Sequence, residues 1–287
     1  MKPHISVVIP TYNEEKFLPK LLESLKVQTY KGPYEVIVVD NNSTDKTSEI
    51  AQSMGARVIK EKKQGYAHAC NAGFYGAKAD IIARADADYV LPKTWLQTVA
   101  DSFEKRPDIV AVGGPLYPLE SYWWENFLYY PATVGWMYLL KFLQRGFLFP
   151  NIAVRKSAFE KIGGFDTTRT FGEDQELCFQ LKKVGKVEYN LNMYIYTSMR
   201  RMTDIGMMKL VFGYSIANQI ALWRGKEVKF GTGPARVAPN KPITISNPWM
   251  FLLPLPTLIL VLLVVTSYLL ATPKEMLPSV LLQILAK

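Results

Sequence analysis

Short apolar runs alternate with amphipathic segments through the first 113 residues, and this alternation constrains the fold more than any other feature. Residues 5–9 read as a strand. Residues 14–29 read as a helix with Phe17, Leu18, Leu21, Leu22 and Leu25 on one face and Pro19 near its first turn, where proline is tolerated. A strand over 35–39 follows. It runs into Asp40-Asn41-Asn42-Ser43-Thr44-Asp45, which is turn and N-cap chemistry. A helix to about Met54 with Gly55 as its stop, a short strand over 57–60 and a helix through Asn71 to Ala79 come next. Then come an apolar run from Ile81, a helix from Pro92 to about Arg106, and a strand over 109–112 closed by Gly113-Gly114. Such a series predicts an α/β fold with a mainly parallel sheet and helices on both faces. Beyond residue 150 the same reading expects a strand over 151–155, a helix from Ser157, a helix over 173–184, strands near 187–189 and 194–198, and a helix over 204–226.

The run Ile81-Ile82-Ala83 leads to Asp86 and Asp88. In an extended segment side chains at i and i+2 point to one side. Both carboxylates would then converge at a strand's carboxyl end, where open α/β sheets bind ligands. Two carboxylates at one point repel unless a cation lies between them, and hard oxygen donors suit Mg2+ or Mn2+, which would in turn hold a diphosphate. Taken alone, the triplet reads first as a turn with two solvated acids; the neighbouring motifs shift the balance.

Composition narrows the classes further. Only two histidines, His4 and His68, argue against a histidine metal site or triad. Cys70 and Cys178 build no disulfide framework and fit a reducing compartment. The net charge of +9 is concentrated after residue 140, near an apolar segment, with no basic cluster interleaved with aromatics. That pattern favours anionic ligands and a membrane surface over nucleic acid.

Residues 249–271 carry no charge and as a helix would extend about 35 Å, enough to cross a bilayer core. Asn247-Pro248 suits a helix start, while Pro254 and Pro256 imply a kink or a re-entrant entry. A buried helix of a soluble domain is the alternative. Lys229, Arg236 and Lys241 precede the segment and only Lys274 closely follows it, which expects a single-pass protein with its N-terminal domain in the cytoplasm. The chain runs directly into a strand, so no signal peptide is expected. Residues 121–149 are dense in aromatics, including Trp123, Trp124, Trp136 and Phe142, with Pro131 and Gly135 between them. Helices at a membrane interface and packing against the sheet are both open readings.

In order and spacing, Val7-Val8-Ile9-Pro10-Thr11-Tyr12-Asn13-Glu14, the Asp40–Asp45 turn, Gly65 to Gly73, Arg84-Ala85-Asp86-Ala87-Asp88, Gly163-Gly164-Phe165-Asp166 and Gly172-Glu173-Asp174 resemble the inverting family-2 glycosyltransferases of the GT-A fold. The resemblance covers roughly residues 4–202. It implies a donor pocket for a UDP- or GDP-linked sugar formed by Pro10, Tyr12, Glu14, Asp40, Asn42, Asn71, Arg84 and Asp86. It implies Mg2+ or Mn2+ on Asp86 and Asp88, and Asp174 as the base that takes a proton from an acceptor hydroxyl. Glu173, Gly164 and Phe165 would lie on the acceptor side, and Arg200 and Arg201 would meet a diphosphate or an acceptor phosphate. Acids in a helix's first turn are also favoured by the helix dipole, which by itself would account for Glu173 and Asp174.

The region after the acid reads Ser198-Met199-Arg200-Arg201-Met202, without the Gln-x-x-Arg-Trp motif of processive synthases. Single-sugar transfer to a membrane-associated acceptor, such as a polyprenyl phosphate or lipid-linked glycan, is therefore expected. A processive polysaccharide synthase and a non-catalytic, membrane-tethered nucleotide-binding protein are the alternatives. A sugar-phosphate nucleotidyltransferase would carry a Gly-x-Gly-Thr-Arg loop after the first strand, which is absent here. The expected organisation is a catalytic domain over 1–226 with an insertion at 121–149, a linker over 227–247, a transmembrane helix over 248–271 and a tail over 272–287.

Overall fold

The computed structural model describes residues 4–119, 150–169 and 172–198, all within one compact unit of the chain. The aromatic insertion, Arg200 and Arg201, the 204–226 helix, the linker, the apolar segment and the tail lie outside the described residues. Among the described residues no helix is long and apolar enough to cross a membrane.

Seven strands form the main sheet: β1 (Ile5–Thr11), β2 (Tyr34–Asp40), β3 (Arg57–Lys60), β4 (Ile81–Arg84), β6 (Ile109–Gly113), β8 (Ile152–Arg155) and β9 (Lys186–Tyr189), in the order β3-β2-β1-β4-β8-β6-β9. All neighbours run parallel except β8, which is antiparallel to both β4 and β6. A smaller sheet contains β5 (Tyr89–Val90), β10 (Ile195–Thr197) and β7 (Leu116–Pro118), with β10 in the middle. The mainly parallel sheet is as expected from the alternation. The reversal of β8 and the second sheet are tertiary features that no local pattern announced.

The helices are α1 (Leu18–Lys26), α2 (Thr47–Ser53), α3 (Tyr66–Gly76), α4 (Trp95–Lys105), α5 (Lys156–Lys161) and α6 (Glu173–Val184). They cover both faces, because period-2 alternation along the strands sends side chains to each side. Ile5, Val7 and Ile9 of β1 pack with the leucines of α1 and with Trp95, Leu96, Val99 and Phe103 of α4. Val8 of β1 and Val39 of β2 face the other way, onto Cys70 and Phe74 of α3, Phe159 of α5 and Leu177 and Leu181 of α6. Each fully buried leucine or phenylalanine contributes about 1.5–3 kcal/mol relative to exposure. Gly73 is where α3 meets the sheet: a Cβ there would lie 2.3 Å from Val8 Cγ1.

Helix α1 is shorter than the apolar pattern predicts. The amide of Glu14 donates to Thr47 Oγ1 (2.8 Å), and the chain turns over 15–17 before the helix begins with Pro19 in its first turn. The segment after β1 is thus tied to the first residue of α2 and is unavailable for helix.

Candidate active site

Strands β2, β1 and β4 are neighbours, with Thr11 opposite Asp40 and Val8 opposite Arg84. Their carboxyl ends therefore bring together Pro10, Tyr12 and Glu14, then Asp40 and Asn42, then Arg84, Asp86 and Asp88. Loop-to-loop hydrogen bonds hold the first two groups in place. Asn13, at φ +54, receives the Thr44 amide on Oδ1 (2.8 Å), and its own amide donates to Ser43 Oγ (3.0 Å). Asp40 is buried; its two oxygens accept from the Ser43 amide (3.0 Å) and the Ser48 hydroxyl (2.6 Å). These bonds orient the carboxylate. Asn42 is exposed at φ +65 and donates to Lys62 O and Gln64 Oε1, each at 3.0 Å.

Asn41 was not singled out from the sequence, yet it is buried and fully engaged. Its Nδ2 donates to the carbonyls of Glu61 and Lys63 (2.8 Å each), and its Oδ1 accepts from the Gly65 amide (2.8 Å). It fixes the loop that leads into α3. An asparagine directly after a strand-ending aspartate was the available signal.

The two metal-motif aspartates are not on an extended strand. Strand β4 stops at Arg84, and the Tyr89 amide closes a turn onto Asp86 O (3.0 Å). The chain has to leave the main sheet here, because β5 pairs with β10 of the smaller sheet. The two acids therefore do not converge by strand alternation; the turn keeps both at the strand end, at 6% and 5% exposure. Asp86 Oδ1 accepts from Tyr66 Oη (2.6 Å), and its Oδ2 is 3.4 Å from Tyr89 Oη. Burial, first of all, pushes both phenols well above their usual range, so each remains a donor. Two buried carboxylates are hard oxygen donors of the kind that hold Mg2+ or Mn2+. Among the described residues no group of three or more His, Cys, Asp or Glu is clustered to hold an ion. The remaining ligands would come from a diphosphate and water, the usual arrangement for Mg2+.

Arg84 is completely buried. Its Nε and Nη2 donate to Pro150 O (3.2 and 2.7 Å), its Nη1 pairs with Asp174 Oδ1, and its Nε lies 3.9 Å from Asp86 Oδ1. The guanidinium also sits over the rings of Tyr66 (5.5 Å) and Phe165 (6.0 Å). Burial works against its charge, but the carboxylates of Asp174 and then Asp86 more than offset it and hold Arg84 protonated. Asp174 and Glu173 open α6 after Gly172 in a left-handed conformation (φ +76), as the sequence predicts. Asp174 is 18% exposed at its side chain.

Asn71 faces the Gly164-Phe165 loop. Its Nδ2 donates to Phe165 O (2.9 Å), and its Oδ1 accepts from the Phe165 amide (2.8 Å). Gly164 lies beside it at φ +82, where a Cβ would come within 2.6 Å of Asn71 Oδ1. Phe165 is buried against Phe74 and Phe159. The structure thus links Asp86 and Asp174 through Arg84, sets Asp40 and Asn42 at the neighbouring strand end, and places Asn71, expected among the donor-side residues, in hydrogen bonds to the Phe165 backbone.

A mainly parallel sheet with one reversed strand, loops gathered at the carboxyl ends of β1, β2 and β4, and paired aspartates after β4 define a GT-A-like α/β protein. The family model for glycosyl transferase family 2 matches residues 6–163, and the chain belongs to that family. An uncharacterized glycosyltransferase of Mycobacterium tuberculosis is 37% identical over 106 residues, 37% of this chain and 46% of the relative. The glucosyl-dolichyl phosphate glucuronosyltransferase of Haloferax volcanii is 28% identical over 179 residues, 57% of this chain and 56% of the relative. The chain thus spans about half the length of these relatives. Among solved structures, a mannosyltransferase from Pyrobaculum calidifontis in complex with GDP-Man and Mn2+ superposes with a TM-score of 0.58 at 19% identity, covering 100% of this chain and 80% of that one. At this identity the likeness concerns the fold.

Proposed function

We propose that this protein transfers a single sugar from a UDP- or GDP-linked donor, with inversion, to a membrane-associated acceptor. The observation that carries the reading is that buried Arg84 joins Asp86, in the turn after β4 that also carries Asp88, to Asp174 at the start of α6. In this reading Pro10, Tyr12, Glu14, Asp40 and Asn42 line the nucleotide side, where the Asp40 carboxylate accepts the ring N–H of uracil or guanine. Asp86 and Asp88 would hold Mg2+ or Mn2+, and the ion would neutralise the leaving diphosphate. Support for an ion of this kind comes from the complex of the Pyrobaculum mannosyltransferase with Mn2+.

Asp174 stands on the acceptor side as the proton acceptor for an attacking hydroxyl, with Glu173 beside it. An ion-paired carboxylate takes a proton less readily than a solvated one. The Arg84 pairing therefore suits an acceptor that is already anionic, such as a lipid phosphate, or requires Asp174 to leave Arg84 when a hydroxyl binds. The likeness to the Haloferax glucosyl-dolichyl phosphate glucuronosyltransferase also supports a lipid-linked acceptor. Residues 1–226 then form the catalytic domain on the cytoplasmic side, 227–247 a linker, 248–271 a single transmembrane anchor and 272–287 a tail. Arg200 and Arg201 would meet the diphosphate or the acceptor phosphate.

The test is release of nucleoside diphosphate in detergent with Mn2+, across UDP- and GDP-sugars, with and without polyprenyl phosphate. One donor stimulated by the lipid is the expected result. Nucleotide binding with no release under any pairing would favour a non-catalytic tether, and long products would favour a processive synthase. Asp88→Ala is expected to abolish Mn2+-dependent nucleotide binding in calorimetry; an unchanged affinity would remove Asp88 from the metal site. Retention of the full chain in the membrane fraction after an alkaline wash, and its loss on deleting 248–287, checks the anchor.

A further inference from the structure

Tyr66 is the first residue of α3, and three features aim it. Gly65 turns the chain at φ +140, its amide is held by Asn41 Oδ1 at 2.8 Å, and Asn41 in turn holds the carbonyls of Glu61 and Lys63. The Glu61 amide is tied to Asp40 O (2.9 Å), so this loop is anchored to the end of β2. The tyrosine so placed lies against the Arg84 guanidinium and donates its hydroxyl to Asp86 Oδ1 at 2.6 Å. That is the length of a charge-assisted O–H···O− bond, roughly twice as strong as a neutral one. Tyr89 Oη reaches the other oxygen of Asp86 only at 3.4 Å.

A carboxylate that binds a metal from a turn has two soft side-chain torsions and can rotate away between ligands. Outer partners that fix such a ligand are worth about 10–100-fold in metal affinity. Resting on the functional reading above, we propose that Tyr66 is a positioning residue that locks Asp86 for divalent-ion binding, and that the Asn41–Gly65 linkage sets its aim. Tyr66 acts through Asp86 and touches neither ion nor donor in this assignment. The Asp86–Tyr66 bond also keeps Oδ1 directed toward α3 and Arg84.

The test uses the full chain in detergent and reads Mn2+ affinity by the electron paramagnetic resonance of free Mn2+, at saturating UDP or GDP. Tyr66→Phe keeps the ring on Arg84 and removes only the hydroxyl. It is expected to weaken Mn2+ about 10–100-fold, with nucleotide affinity in EDTA unchanged at temperatures well below the unfolding midpoint. Tyr89→Phe, which loses the longer contact, is expected to weaken Mn2+ by less than about tenfold. Mn2+ affinity in Tyr66→Phe within about threefold of wild type would overturn the inference while leaving the functional reading intact. Equal losses in both variants, together with a lowered thermal midpoint, would overturn it in favour of a packing role. A wild-type protein that binds neither nucleotide with Mn2+ would overturn the functional reading and this inference together.

Discussion

Arg84 and Asp174 form an ion pair between residues 90 positions apart, one ending a strand of the main sheet and the other opening α6. The pair joins the motif that would hold a metal to the residue that would accept a proton. Its geometry makes Arg84 part of the protein's framework as well as of its site, since the same guanidinium ties down Pro150 O.

Replacing Arg84 with Met should therefore cost stability before it costs catalysis. Removing one partner of a buried ion pair leaves the other charge uncompensated, at about 3–5 kcal/mol. Asp174 is partly exposed, so the lower end of that range is expected. Chemical denaturation reads it directly, and a loss well under about 1 kcal/mol would mean that the pair behaves as a surface one.

Asp174→Asn should preserve nucleotide binding in Mn2+ and lower transfer to a hydroxyl acceptor by about 10^2–10^4-fold, the usual worth of a positioned general base. Transfer to a phosphate acceptor, which needs no deprotonation, should fall less. Turnover close to wild type on a hydroxyl acceptor would take Asp174 out of the reaction.

Asn71→Ala distinguishes two roles. If the side chain works by holding the Phe165 backbone, the variant loses about 1–3 kcal/mol of stability, and nucleotide affinity in Mn2+ is retained. If it contacts the donor directly, affinity falls even at temperatures well below the unfolding midpoint.

Glu35 carries a pH dependence remote from the site. Burial alone would raise its pKa, but the Ser6 hydroxyl (2.6 Å), the Lys78 amide (2.7 Å) and Arg57 (2.9 Å) more than offset this and hold the carboxyl below its usual value. The folded group thus binds its proton less readily than the unfolded one. Its stabilisation is present in full above the unfolded value of 4.5 and is lost as pH falls through the lower folded value. Glu35→Gln should be less stable than wild type at neutral pH, and the difference should shrink on acidification. A gap that stays constant down the acid limb would show that Glu35 contributes through packing alone.

Much of the site was legible because its chemistry sits in short contiguous segments. Asp86-Ala87-Asp88, Gly172-Glu173-Asp174 and the Asp40–Asp45 turn each carry their residue types within a few positions, and alternation of apolar runs placed them at strand and helix ends. What local pattern missed was set by distant partners. Strand β4 ends at Arg84 because the next strand belongs to another sheet, and α1 begins late because Glu14 is held by Thr47. Asn41 and Tyr66 gave no motif of their own; their importance comes from what they reach, the 61–65 loop and Asp86.

By itself the amino-acid order determined the fold class, the family and the acids that gather at the strand ends, because periodicity and motif spacing are properties of neighbouring residues. Only the tertiary structure decided that β8 runs backwards, that Arg84 is buried between Asp86 and Asp174, and that Asn71 holds Phe165. Those arrangements depend on hydrogen bonds and charge pairs between segments tens of residues apart. Their strength depends on both partners meeting in one low-dielectric place, which no stretch of sequence specifies alone.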